Sequence, residues 1–196
     1  MKSVLISIKP KWCELIANGK KTIEVRKTRP KCDMPFKCYI YCTKDKDISF
    51  WTGKQYAYAD DRSHNLFDAC GNGKVIGEFI CNNIYTYDDD TIFAFRHEDY
   101  TRWNDFDLNR ACIHPEDFQN YSNGKWLYGW RISDLVIYDK PKDLDDFMVF
   151  GEAHCNQKNC DKCLYMGIDG ICDVKDIGQP IIRPPQSWCY CEELKE

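Results

Sequence analysis

The sequence has no apolar run near the roughly 18–20 residues that a membrane-spanning helix needs. Its one early apolar run, Val4 to Ile8, is interrupted by Ser7 and followed at once by Lys9 and Lys11. A secretory leader has a longer apolar region ending in small residues, so the expectation is a cytoplasmic chain with reduced thiols. G-x-x-x-x-G-K-S/T and G-x-G-x-x-G are missing, which excludes the usual phosphate-cradling loops. G-x-S-x-G and H-E-x-x-H are missing too, as is the deaminase pattern of H-x-E with P-C-x-x-C. The four histidines, at 64, 97, 114 and 154, suggest no triad. An overall positive charge is also lacking: 27 Lys and Arg stand against 31 Asp and Glu, a net of −4. Proteins that coat duplex nucleic acid are usually basic overall.

The charge is uneven. Residues 1–37 hold ten Lys or Arg against three acids, a net of +7, so the total of −4 leaves the remainder at −11. A local basic patch on an acidic body suits a small anionic ligand or a short single strand better than a long duplex. The 196 residues are 43% hydrophobic, enough for one sizeable domain with a core.

Of 13 cysteines, seven are scattered before residue 113 and six are crowded between Cys155 and Cys191. An odd number in a reducing compartment argues against a disulfide framework, and the early seven read as small buried hydrophobes. Cys155, Cys160, Cys163 and Cys172 lie in a polar stretch, with two residues between Cys160 and Cys163. That spacing suits a closed, structural tetrahedral zinc site, with His154 a possible substitute ligand. Free thiols or a redox pair are the alternatives. Cys189 and Cys191 share one face of the last strand and read as buried.

Ser3 to Ile8 alternates as a strand. Pro10 suits the first turn of a helix whose apolar stripe is Trp12, Leu15 and Ile16, and Gly19 suits its end. The run "NGKKTIEVRK", in which Thr22, Glu24 and Arg26 alternate with Ile23 and Val25, is the next strand, and Phe36 to Thr43 is the one after. Val75 to Tyr87 reads as one strand, bent near Asn82 and Asn83. Pro115 and Gly124 bracket a short helix. Trp126 to Tyr138 is a strand region whose internal glycine suggests a bulge, and a terminal strand follows "RPPQS". The expected class is α+β, mainly β: a small, partly open β-barrel with helical insertions. Residues 1–150 form the barrel, with insertions at about 44–73 and 89–125. Residues 151–180 form the cysteine-rich loop, and 181–196 return to the barrel.

Gly19-Lys20-Lys21-Thr22-Ile23-Glu24-Val25-Arg26 fits G-x-K-x-x-E-x-R. It follows a strand and a helix beginning "IKPKW". This pattern resembles the signature of ASCH domains, which belong to the PUA-like superfamily of small β-barrels. "YGWRISDLVIYDKPK" and the closing "RPPQSWCY" are similar to a phage- and bacterium-associated branch. The resemblance implies a cleft beside the first helix and second strand that binds RNA or a nucleotide. Some members are amidohydrolases that remove the acetyl group of N4-acetylcytidine with a lysine, a threonine and a glutamate. Their lysine matches Lys21; their threonine position holds Glu24; their glutamate has no clear counterpart, although Asp88, Asp89 and Asp90 fall in the right region.

The ligand-binding candidates are therefore Lys21, Glu24, Arg26, Trp130 and Trp188, with Lys21 and Glu24 the catalytic candidates if the chain is an enzyme. A carboxylate accepts from the exocyclic amine of a base, and a guanidinium donates to phosphate or carbonyl. A lysine adds a cation or, if desolvated, a nucleophile. Aromatic faces stack bases. Trp188 is the expected cleft wall, whereas Trp12 reads as core. The alternative for the charged residues is a surface ion pair worth under about 1 kcal/mol. Three function classes follow: RNA or modified-nucleotide binding, an amidohydrolase acting on an acylated nucleoside, and a phage or host protein-interaction module.

Overall fold

Lys2–Ile8 forms β1, and six of its seven residues are buried. Val4, Ile6 and Ile8 enter one core while Leu5 enters another. A strand covered on both faces belongs in the middle of a sheet. The computed structural model, which describes residues 2–51, 70–87, 105–150 and 179–194, places it there. β2 is Ile23–Arg26, β3 Phe36–Cys42, β4 Val75–Cys81, β5 Ile84–Tyr87, β6 Leu127–Arg131, β7 Ser133–Lys142 and β8 Trp188–Glu192. Their order is β7-β4-β3-β1-β8 in one sheet and β2-β6-β5 in the other. The chain is mainly β, an open barrel-like pair of sheets with helices at the rim, as the sequence leads one to expect. Among the described residues no helix is long and apolar enough to cross a membrane.

β1 and β3 pair in parallel, with Val4 opposite Cys38 and Ile8 opposite Cys42. Parallel partners need a crossover, supplied here by helix α1 (Pro10–Ala17) and β2. Pro10 occupies the first turn of α1, where its missing N–H costs nothing. Gly19, at φ 74°, then turns the chain towards β2. Helices α2 (Asp105–Ala111) and α3 (Pro115–Ser122) cover the small sheet: Leu108, Ala111 and Phe118 pack on Ile23, Val25 and Tyr87. His114 caps α3 through its ring nitrogen, and Asn123 ends it at φ 47°.

Two expected strands are each divided. Val75–Tyr87 splits at Asn82 and Asn83 into β4 and β5, and the Trp126–Tyr138 region splits at Ile132 into β6 and β7. Both splits carry the chain from one sheet to the other, so Trp130 and Ile132 share a core with Val4, Ile40 and Phe79. Gly129 is not a bulge: it pairs with Val25 and with Tyr85 in regular register. The irregularity lies at Gly77, where the register with β7 shifts and an added Cβ would collide with the Val136 carbonyl oxygen. Gly77→Ala must displace backbone, and denaturant titration should show a loss of about 1–3 kcal/mol.

β8 pairs antiparallel with β1. Cys191 is wholly buried and Cys189 packs at the edge of the same cluster. Burial pushes the Cys191 and Cys81 thiols up to about 12 and the Cys189 thiol to about 11. A folded-state pKa above the unfolded one, about 8.5, contributes stability below the unfolded value that is lost as pH rises through the folded value. Equilibrium unfolding at a series of pH values should therefore show these thiols' contribution intact below about pH 8.5 and lost by about pH 12.

Candidate functional site

All four residues of β2 are buried. Ile23 and Val25 face α2 and α3. Glu24 and Arg26, on the alternate positions, form the ion pair that period two allows. Arg26 Nη2 donates to Glu24 Oε1 at 2.9 Å and to the Ser7 carbonyl at 2.6 Å. Lys21, at the turn into the strand, places Nζ 3.3 Å from Glu24 Oε2 and donates to the Ala111 carbonyl at 2.6 Å. The three side chains are 5%, 7% and 11% exposed for Lys21, Glu24 and Arg26. This is not a surface pair. One carboxylate is clamped between two cations, with a net charge of +1, in a place where an unpaired charge would be costly.

The triad forms part of the wall of a cavity of about 790 Å³, within the range of small-ligand sites. The cavity opens where the parallel strands end, at Ser7 and Ile8 of β1 and Tyr41 of β3. Among the described residues, Lys9, Lys11, Lys21, Arg26 and Lys44 line it against Glu24 and Asp117. Lys9, Lys11 and Lys44 are exposed and make no ion pair among the described residues. Trp12 contributes a half-buried ring 5.1 Å from Lys21 Nζ, a cation–π contact. The neighbours of Nζ are thus a carbonyl, a carboxylate and a ring face, surroundings that suit an ammonium. Beneath lies Cys13, fully buried; burial and the nearby Cys42 thiol push its own thiol well up, so it is a filler rather than a nucleophile.

The structure therefore unites Lys21, Glu24 and Arg26. It does not bring Trp130 or Trp188 to this cavity. Trp130 is 0% exposed, edge-on to Phe36 at 5.9 Å and tilted against Trp188 at 5.9 Å. Trp188 packs on Tyr190 and donates from its indole to Thr28 Oγ1 at 3.0 Å. The "RPPQS" segment does reach the cavity, through Pro184, Pro185 and Gln186, because Ser7 Oγ donates to the Pro185 carbonyl. The aromatic residues that line it are Trp12, Tyr41 and Tyr121 instead. The place of Trp12 on the apolar stripe pointed to the core, and the missed signal was the basic pair around it, Lys9 and Lys11. Cys155, Cys160, Cys163, Cys172 and His154 lie outside the described residues. Among the described residues no cluster of His, Cys, Asp and Glu is arranged to hold a metal.

The ASCH domain family model matches residues 6–138. No curated protein matches the chain. Among solved structures, the ASCH protein of Zymomonas mobilis is similar at 19% identity, with a TM-score of 0.45 over 73% of this chain and 74% of that one. A point mutant of it gives 18% identity and a TM-score of 0.47, covering 74% and 78%. The N-terminal domain of Staphylothermus marinus McrB is similar at 13% identity, with a TM-score of 0.36 over 73% and 77%. With the family model spanning well over half of its length, and the lysine, glutamate and arginine of G-x-K-x-x-E-x-R gathered at one cavity, the chain belongs to the ASCH domain family.

Proposed function

We propose that the chain binds RNA or a modified nucleotide in the cavity beside α1 and β2. The observation that carries this reading is the wall itself: among the described residues, five cations against two acids, around a buried Lys21–Glu24–Arg26 cluster and an aromatic face. In this reading the exposed Lys9, Lys11 and Lys44 take phosphate, and Trp12 offers a stacking surface for the base. Glu24, its two oxygens already held by Lys21 and Arg26, accepts from an exocyclic amine with its remaining lone pairs. Lys21 serves as a fixed donor.

Equilibrium titration with short RNAs and with N4-acetylcytidine, read by tryptophan fluorescence and followed by chromatography, tests this. Saturable binding without release of cytidine is the expected result. Release that vanishes in Lys21→Ala would move the chain to the amidohydrolase class. The absence of saturable binding by any of these ligands would overturn the reading.

We also propose, from spacing alone, that Cys155, Cys160, Cys163 and Cys172 hold a structural zinc ion. Metal analysis of the purified chain should give one zinc per molecule, and Cys160→Ser with Cys163→Ser should remove it.

A further inference from the structure

Eight of the ten basic residues in positions 1–37 line one of two cavities. The first takes Lys9, Lys11, Lys21 and Arg26. The second, of about 780 Å³, takes Lys2, Arg29, Lys31 and Lys37. Register relates the two. Ser7 and Tyr41 line the first, Ser3 and Lys37 the second, four residues earlier on each parallel strand. At about 3.3 Å per residue the two sets of wall residues are roughly 13 Å apart.

The chain between them is tied down. On leaving β2 it is held at Thr28 by the Trp188 indole and at Lys31, whose N–H donates to the Tyr190 hydroxyl at 2.6 Å. Lys27 lies over Tyr121, a residue of the first cavity, and Arg29 lies near the Tyr128 ring. Lys27, Arg29 and Lys31 are all exposed. Within the second cavity the Ser3 residue is 1% exposed, and its hydroxyl has no hydrogen-bond partner among the described residues. Among the described residues two acids line that cavity, Asp33 and Glu193, and Glu193 is paired with Lys37.

We infer that the two cavities are the ends of one track for a single strand of nucleic acid, with its phosphodiester backbone carried across Lys27, Arg29 and Lys31. The inference rests on the nucleotide reading of the first cavity and extends it to a ligand several nucleotides long. The acidic remainder of the chain, at −11, concentrates the attraction on this strip. Single strands fit it because their phosphates can follow a short, curved line of cations while their bases meet the flanking rings.

The test is fluorescence anisotropy on the full chain with labelled oligonucleotides, as RNA and as DNA, and with a mononucleotide as competitor. Affinity should rise with length until both cavities are spanned and then level off. The double variant Arg29→Glu, Lys31→Glu should bind the mononucleotide as the wild type does and lose at least about tenfold of the length gain, with a shallower salt dependence. An equal gain with DNA assigns the track to the backbone and supports it. Mononucleotide binding with no length gain, or a gain that survives in the variant, overturns the track alone. No binding of either probe overturns the nucleotide reading with it. An acidic peptide that competes as well as the oligonucleotide also overturns the inference.

Discussion

Glu24→Gln lowers the stability of the fold by about 3–5 kcal/mol, the scale of breaking a buried charge network by removing one partner. At this chain length that is of the order of 10 °C in Tm. The cost is large because Glu24 serves two cations at once, Lys21 at 3.3 Å and Arg26 at 2.9 Å. The neutral amide leaves both ammonium and guanidinium under cover with no counter-charge. Lys21→Met and Arg26→Met are expected to cost less, about 1–3 kcal/mol each, since either leaves Glu24 paired with the other. Chemical denaturation of the three variants gives the ordering. Glu24→Gln no worse than Lys21→Met would show that the carboxylate is not the centre of the cluster.

If the cavity takes a nucleotide or short RNA as proposed, Lys9→Glu with Lys11→Glu should weaken that binding by about a hundredfold, as like-charge juxtaposition costs several kcal/mol. The fold should hold, because both side chains are exposed and surface substitutions usually stay within about 0.5 kcal/mol. Binding measured at several salt concentrations should show a shallower slope as well. Unchanged affinity with an unchanged slope would remove the rim lysines from the site. The two predictions separate the proposed roles of the charges: the covered triad holds the wall together besides offering Lys21 and Glu24 to a ligand, whereas the open lysines serve the ligand alone.

Much of this was legible in the sequence. The alternation in β1, Pro10 ahead of the first helix, and Gly19 after it are local signals with local causes. Glu24 and Arg26 were readable as neighbours on one side of a strand because period two requires it. Other features depend on distant partners. The Lys21 ammonium meets the carbonyl of Ala111, and nothing near residue 21 announces a helix end so far along the chain. The two strand regions that divide look continuous because each half is apolar enough to be a strand. Only the presence of two sheets makes Asn82–Asn83 and Ile132 corners. The parallel pairing of β1 with β3 was hidden for a related reason: one helix and one strand of the other sheet make the crossover, rather than a regular βαβ unit. Trp12, expected in the core, packs against it and also lines the cavity, whereas Trp188, expected as the cleft wall, packs against the same core away from the cavity. A helical stripe shows which residues turn inward, but the stripe's edge borders an opening here. The last strand's tryptophan is drawn onto Trp130 instead.

In the proposed function a nucleotide sits in the cavity walled by Lys21, Glu24 and Arg26. Calorimetric titration of a nucleoside monophosphate into the wild type and into Lys21→Met tests it most directly, with folding of the variant checked by circular dichroism. Saturable binding at one site per chain is expected in the wild type, and at least about tenfold weaker binding in the folded variant, the effect of one lost charge-assisted hydrogen bond. Equal binding by the two proteins, or none by the wild type, would contradict the proposed function.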